Sequence, residues 1–224
     1  MQAIKRKTRN EIATIVSSIE VSQLNEYGKL VANAINTIPQ LNSIKSVGLY
    51  LNMPTGELPT DYLLKNCFDK NINVYLPRVE NLKTHNDNSR FNKQWGCLHF
   101  IKSNSWNDVL NYLPRGRYNL REPPYEISND LLLSSNPSLD VLFLPGVAFT
   151  PSGRRLGHGA GFYDDFLARY RLLNNNKLPI LVGVSLPHQI LFDSEKIPLE
   201  EHDVLLDYVV AGDKVYSCKD YTTV

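Results

Sequence analysis

At 224 residues with 42% hydrophobic side chains, the chain is long enough to fill one core, and a single domain over residues 1–224 is expected. A net charge of +1 supplies no global field for a polyanion, so nucleic-acid binding is not expected and any anion site has to come from a local cluster. Three cysteines at wide, irregular spacing (67, 97, 218) fit neither a disulfide framework nor a zinc site, and no apolar run approaches the roughly 18 residues of a membrane span. A reducing compartment is expected, the cytoplasm first. The start "MQAIKRKTRN" lacks the apolar segment of a secretory signal, while its basic residues, with no acid before Glu11, leave a mitochondrial presequence open.

In chain order, Leu24, Tyr27, Leu30, Val31, Ala34, Ile35 and Ile38 form one helical stripe, with Ser22 available as an N-cap. Short apolar runs then read as strands: "SVGLYL" from 46, "INVYLP" from 72, "CLHFI" from 97, "DVLFLP" from 140, "ILVGV" from 180 and "YVVA" from 208. Most are continuous rather than alternating, as strands covered on both faces are. Helical patterns fall between several of them, at "TDYLLKNCFDK" and "GFYDDFLARYRLL". The expected fold is α/β, a three-layer arrangement with a mostly parallel central sheet of about six strands flanked by helices. Residues 79–94 are polar, Asn-rich and without period and read as a loop, and 112–126 is rich in Pro and Arg.

The stretch "GRRLGHGAGFYDD", residues 153–165, follows the fourth predicted strand and opens a helix. In an open parallel sheet, ligands bind beyond the carboxyl ends of the strands. Glycines without Cβ let backbone N–H groups approach an anion, and a helix N-terminus adds a favourable dipole. Arg154 and Arg155 could donate to phosphate oxygens, and Asp164 and Asp165 could hold a magnesium ion bridging them. The pattern is neither G-x-x-x-x-G-K-[ST] nor G-x-G-x-x-G. A tight strand-to-helix connection explains the glycines alone equally well; the arginines before them and the carboxylates after them tilt the reading toward function.

The same residues carry a resemblance. Pro145, Gly146, Phe149, Gly153, Arg155, Leu156, Gly157, Gly159, Gly161, Phe162, Tyr163 and Asp164 match the pattern P-G-x-x-F…G-x-R-L-G-x-G-x-G-[YF]-Y-D, so the chain resembles the 5-formyltetrahydrofolate cyclo-ligase (5,10-methenyltetrahydrofolate synthetase) family. "KRKTR" at 5–9, "GELPT" at 56–60 and "IPLEEHDVLLDYVV" extend the likeness over most of the chain. The resemblance implies a ligase of folate, one-carbon metabolism. It would use ATP and Mg2+ to convert 5-formyltetrahydrofolate, polyglutamylated or not, to 5,10-methenyltetrahydrofolate with release of ADP and phosphate, by phosphorylation of the formyl oxygen. A monomer with no membrane partner is expected.

Carried over residue by residue, the likeness implies ATP contacts at Lys5, Arg6, Arg9, Gly153, Arg154, Arg155, Leu156, Gly157, His158, Gly159, Ala160 and Gly161. His158 and Ala160 stand where some relatives carry a basic side chain. It implies metal ligands at Asp164 and Asp203, substrate contacts at Leu51, Met53, Glu57, Arg78, Asn119, Glu122 and Tyr163, and catalytic roles for Arg155, Tyr163 and Asp164. Asp165 is read as a helix-start charge and Asp207 as a structural partner, while Arg115, Arg117 and Arg121 either attract a glutamate tail or form a solvated basic loop. Two rival classes differ in what they demand. A sugar-phosphate isomerase or CoA-transferase-like enzyme would not need the aspartate at 164, and a nucleotide- or RNA-binding module would show salt-sensitive oligonucleotide binding without ATP turnover.

Overall fold

The computed structural model describes residues 1–54, 56–81, 95–116, 119–135, 137–200 and 203–221. Two helices come first, α1 (Gln2–Ser17) and α2 (Val21–Ile35). In α1, Lys5, Thr8, Ile12 and Val16 are buried at helical spacing, so the polar first turns face the protein as well as the apolar last ones. Ser22 lies inside α2, whose N-cap is Glu20, so the expected cap is displaced by two residues.

The remaining elements are β1 (Ser46–Gly48), α3 (Asp61–Asp69), β2 (Asn73–Asn81), β3 (Gly96–Ser103), α4 (Trp106–Leu110), β4 (Pro114–Arg115), β5 (Leu120–Arg121), β6 (Val141–Leu144), β7 (Ala148–Phe149), β8 (Arg155–Leu156), α5 (Phe162–Leu173), β9 (Ile180–Ser185), β10 (Tyr208–Ala211) and β11 (Lys214–Ser217). Seven strands make one sheet in the order β11-β10-β9-β6-β1-β2-β3. Its centre is parallel, and its two edge pairs, β2 with β3 and β10 with β11, are antiparallel. All six predicted strands are present, and β11 is the addition.

The continuous apolar runs have the reason expected of them. Val141 and Phe143 of β6 enter a core shared with α1, α2 and α3, while Leu142 and Leu144 enter a second core with Phe166, Leu167 and Tyr170 of α5. Successive side chains of a strand point to opposite faces, so a strand covered on both sides has no polar position.

The segment read as a loop from 79 is corrected at its start, because β2 continues to Asn81 and pairs Val79 with Leu98 and Glu80 with Cys97. Residues 82–94, with His85, lie outside the described residues, as do Arg117 and His202. Among the described residues the three cysteines are buried and form no disulfide, and burial pushes the Cys67 and Cys218 thiols up to about 12. No helix among the described residues is long and apolar enough to cross a membrane.

Candidate active site

From β1 the sheet grows one way to β2 and β3, and from β6 the other way to β9, β10 and β11, so the strand order reverses between β1 and β6. Loops leaving the carboxyl ends at such a switch point diverge and leave a crevice. A cavity of about 680 Å³ lies there, lined by Tyr50 and Leu51 after β1, Pro77 and Val79 of β2, Pro145 after β6, and the glycine loop. That volume is within the usual range for small-molecule sites.

One end of the cavity gathers Lys5, Arg9 and Arg155 with the carboxylates of Asp164, Glu200 and Asp203. Between β6 and α5 the chain folds into the β7–β8 hairpin, in which Phe149 pairs with Arg155, and the glycine loop leaves its second strand. Arg9 of α1 donates from Nε to the Gly157 carbonyl at 2.8 Å. A Cβ on Gly159, whose φ is +97°, would meet the Arg9 guanidinium at 3.4 Å, and one on Gly157 would meet Arg155 Nη1 at 3.1 Å. The bare backbone thus lets two guanidinium groups close on the loop from either side. Burial pushes the Arg9 guanidinium down from its ordinary value, against the pull of the Glu200 carboxylate. Lys5 is buried, with Nζ 3.2 Å from Asp203 Oδ2 and 3.4 Å from Glu200 Oε1.

Arg155 joins this end to the rest. Its Nη1 donates to the Pro145 carbonyl at 3.2 Å, its Nη2 to Asp164 Oδ1 at 3.0 Å, and its guanidinium lies 5.6 Å from the centre of the Tyr163 ring. Glu57, 8% exposed, lines the same cavity and accepts the Met53 N–H at 2.9 Å; Leu51 lines it as well. Burial first, then the Glu57 carboxylate, push the phenols of Tyr50 and Tyr163 well up, so both present an O–H rather than a phenolate.

Lys5, Arg9, Arg155, Leu156, Gly157 to Tyr163, Asp164, Asp203, Leu51, Met53, Glu57 and Glu122 therefore meet on one cavity. Arg6, Gly153, Arg154, Arg78 and Asn119 do not line it. Arg6 falls off the Lys5–Arg9 face and opens onto an outer groove of α1. Gly153 packs under Leu206, whose carbonyl would sit 2.6 Å from an added Cβ, and Arg154 reaches the Ile197 carbonyl at 3.2 Å. Arg78 is buried in an ion pair with Glu80 and donates to the carbonyls of Pro124 and Ile127 at 2.7 and 2.9 Å. Asn119, at φ +50°, belongs to the turn between β4 and β5.

Asp165 is no solvated helix-start charge; it is fully buried and paired with Arg169 at 2.9 Å. Asp207 is structural as expected, accepting the Leu181 N–H at 2.9 Å. Arg121 lines the cavity and pairs with Asp61 at 2.9 Å, while Arg115 lies 5.4 Å from the centre of the Tyr125 ring. Gln2, Tyr50 and Glu200 also line the cavity and were not foreseen, although Tyr50 directly precedes Leu51 and Glu200 stands three residues before Asp203.

Glu122 is buried, and burial raises its carboxyl pKa against the Val79 N–H and the charges of Arg78 and Arg115. A carboxyl with a raised folded pKa holds more protons than the unfolded chain just above the ordinary carboxylate range, so its contribution to stability falls as pH rises through that window. Glu122→Gln is expected to melt higher than wild type at pH 7.5, with the gap closing toward pH 4. A gap independent of pH in a series of thermal melts would contradict this.

For a divalent ion the donor set is Asp164 and Asp203, both on the cavity and both hard oxygen ligands, each engaged by a cation at 3.0 and 3.2 Å. Among the described residues no group of three or more His, Cys, Asp or Glu is placed to hold a metal. Mg2+ commonly takes one or two carboxylates and completes its shell with phosphate oxygens and water. The hard oxygen donors of the two aspartates are of the kind Mg2+ takes.

A doubly wound α/β sheet with a glycine loop and two arginines at its switch point has its ligand site where sheets of this class bind small molecules. The family model described as "5-formyltetrahydrofolate cyclo-ligase family" matches residues 1–212, and the chain belongs to that family. It is 33% identical over 217 residues to the Saccharomyces cerevisiae 5-formyltetrahydrofolate cyclo-ligase, covering 94% of this chain and 96% of that one. Its identity to the Haemophilus influenzae protein of the same name is 30% over 214 residues, covering 93% and 97%. The solved structure of Aquifex aeolicus 5,10-methenyltetrahydrofolate synthetase shares the fold, with a TM-score of 0.69 at 20% identity over 99% of this chain and 96% of that one.

Proposed function

We propose that the chain binds ATP and 5-formyltetrahydrofolate in this one cavity and closes the ring to 5,10-methenyltetrahydrofolate, releasing ADP and phosphate, as a monomer in the cytoplasm. The observation that carries the reading is that one cavity joins two chemistries, a glycine loop met by Arg9 and Arg155 and a buried carboxylate, Glu57, with Tyr50 and Tyr163 on the same wall.

The reaction has one hard step. The oxygen of an N-formyl group is a poor leaving group, so attack by N10 on the formyl carbon stalls until that oxygen is activated. Transfer of the γ-phosphoryl group to it turns it into a phosphate that can depart. Positioning and charge stabilisation then account for most of the protein's part. Lys5, Arg9 and the backbone from Gly157 to Gly161 neutralise and hold the polyphosphate. Arg155, tied to Pro145 and Asp164, sits where phosphate and folate meet, and Tyr163 beside it donates its O–H toward the reacting formyl group. Glu57 accepts from the pterin N–H groups. Asp164 and Asp203 would hold Mg2+, which when bound supplies charge compensation for the transferring phosphoryl group.

The test is whether purified protein generates the near-ultraviolet absorbance of the methenyl product from 5-formyltetrahydrofolate and Mg-ATP; none formed would refute the reading. Within it, Glu57→Gln exchanges a charged acceptor for a neutral one, so folate affinity should fall by about 1.5–3 kcal/mol while ATP affinity barely changes. Equal losses for both ligands, measured by titration calorimetry, would assign Glu57 to loop structure instead.

A further inference from the structure

Glu57 and His158 come from different loops, one after β1 and the other the glycine loop, and His158 Nε2 stands 3.4 Å from Glu57 Oε1. The second Glu57 oxygen accepts the Met53 N–H at 2.9 Å. Before a ligand enters, one oxygen of this buried carboxylate thus holds a hydrogen bond and the other has the imidazole beside it, and a ligand N–H that is to use Oε1 has to displace the imidazole. His158 is free to be displaced: its side chain is 50% exposed, and the next residue is glycine. The lysine and arginines here are held more firmly. Arg155 is fixed by Pro145 and Asp164, Arg9 by the Gly157 carbonyl, and Lys5 by Asp203 and Glu200.

Resting on the function proposed above, we infer that His158 couples the two halves of the site. With the glycine loop empty, it pairs with Glu57; with a polyphosphate on that loop, it turns to the phosphate oxygens and leaves Glu57 to the pterin. A group with two alternative partners, each belonging to a different ligand's site, makes the two binding events mutually favourable. Linkage then requires the same factor in both directions. His158 is a positioning residue in this scheme and touches no reacting atom.

The experiment is calorimetric titration of 5-formyltetrahydrofolate into the protein, with and without the β,γ-imido analogue of ATP and Mg2+, for wild type, His158→Ala and His158→Lys. In wild type the analogue should tighten folate binding about five-fold or more, and folate should tighten analogue binding by the same factor. His158→Ala should bind folate alone more tightly than wild type, having lost the competitor, and show a coupling factor within about two-fold of one. His158→Lys, whose ammonium can pair with either partner, should restore the coupling. Wild-type protein that binds both ligands with no coupling, or a factor that survives in His158→Ala, would overturn the inference while leaving the functional reading intact. Failure of wild type to bind either ligand would overturn both.

Discussion

Asp164→Asn is expected to lose turnover by about a thousand-fold at a modest cost in melting temperature, and its neighbour Asp165→Asn is expected to keep most of its turnover and lose more stability. The two residues are adjacent in the first turn of α5, but the helix turns them apart. Asp164 lines the cavity and bonds Arg155 at 3.0 Å. Asparagine is nearly isosteric and tolerated near a helix N-terminus, so the fold should persist. The amide, however, is a poor ligand for a hard cation and leaves charge on the transferring phosphoryl group uncompensated, about 4 kcal/mol of transition-state stabilisation. Asp165 is fully buried and bonds Arg169 Nε at 2.9 Å, and Arg169 Nη2 in turn donates to the Leu98 carbonyl at 2.6 Å, tying α5 to β3. Removing one charge of a wholly buried pair costs about 3–5 kcal/mol. Arg169 retains 22% side-chain exposure, so about 1–3 kcal/mol is expected, a fall of several degrees in melting temperature. Circular-dichroism melts and initial rates against magnesium concentration for both variants decide it. A reversed ranking would move the functional carboxylate one residue along the helix.

Much of the fold was legible because burial on both faces leaves a plain mark, a run with no polar position such as Val141 to Leu144. What escaped was polar strand. Residues 79–81 read as loop because glutamate and asparagine stand among them, yet Glu80 is satisfied in a buried pair with Arg78, which composition does not reveal. The edge strand β11 escaped because its residues are half-buried or exposed and carry little apolar signal. At the site, the glycine motif located the cavity, and the i, i+4 spacing of Lys5 and Arg9 placed both on its wall. By the same geometry Arg6 falls off that face. Arg154 and Arg155 look alike in the sequence, but consecutive residues of an extended chain point to opposite sides, so only Arg155 enters the cavity. The link between Glu57 and His158 joins residues about a hundred positions apart and left no mark of its own in the sequence.

Phe149→Ala is expected to be among the most damaging single changes, at about 3–5 kcal/mol, although the residue does not itself line the cavity. Its ring is fully buried in the core between the sheet and α5. Two glycines make room for it: a Cβ on Gly146 would lie 2.6 Å from its Cζ, and one on Gly183 of β9 would lie 2.7 Å from its Cε1. Where the ring meets glycine there is no side chain from those positions to refill the space that alanine would open, and the penalty grows with the volume left empty. Phe149 is also the β7 partner of Arg155, and its carbonyl accepts the Leu191 N–H at 2.8 Å. The ring therefore anchors the strand pair that aims Arg155 into the site. In urea, the midpoint of Phe149→Ala should fall with the slope unchanged, and the melting temperature should drop by roughly 10 °C. Below that temperature, the Michaelis constant for ATP should rise as Arg155 loses its seat. Phe149→Leu, which refills most of the volume, should recover more than half of the lost stability. A midpoint for Phe149→Ala near that of wild type would mean that the hairpin is held by its backbone bonds alone.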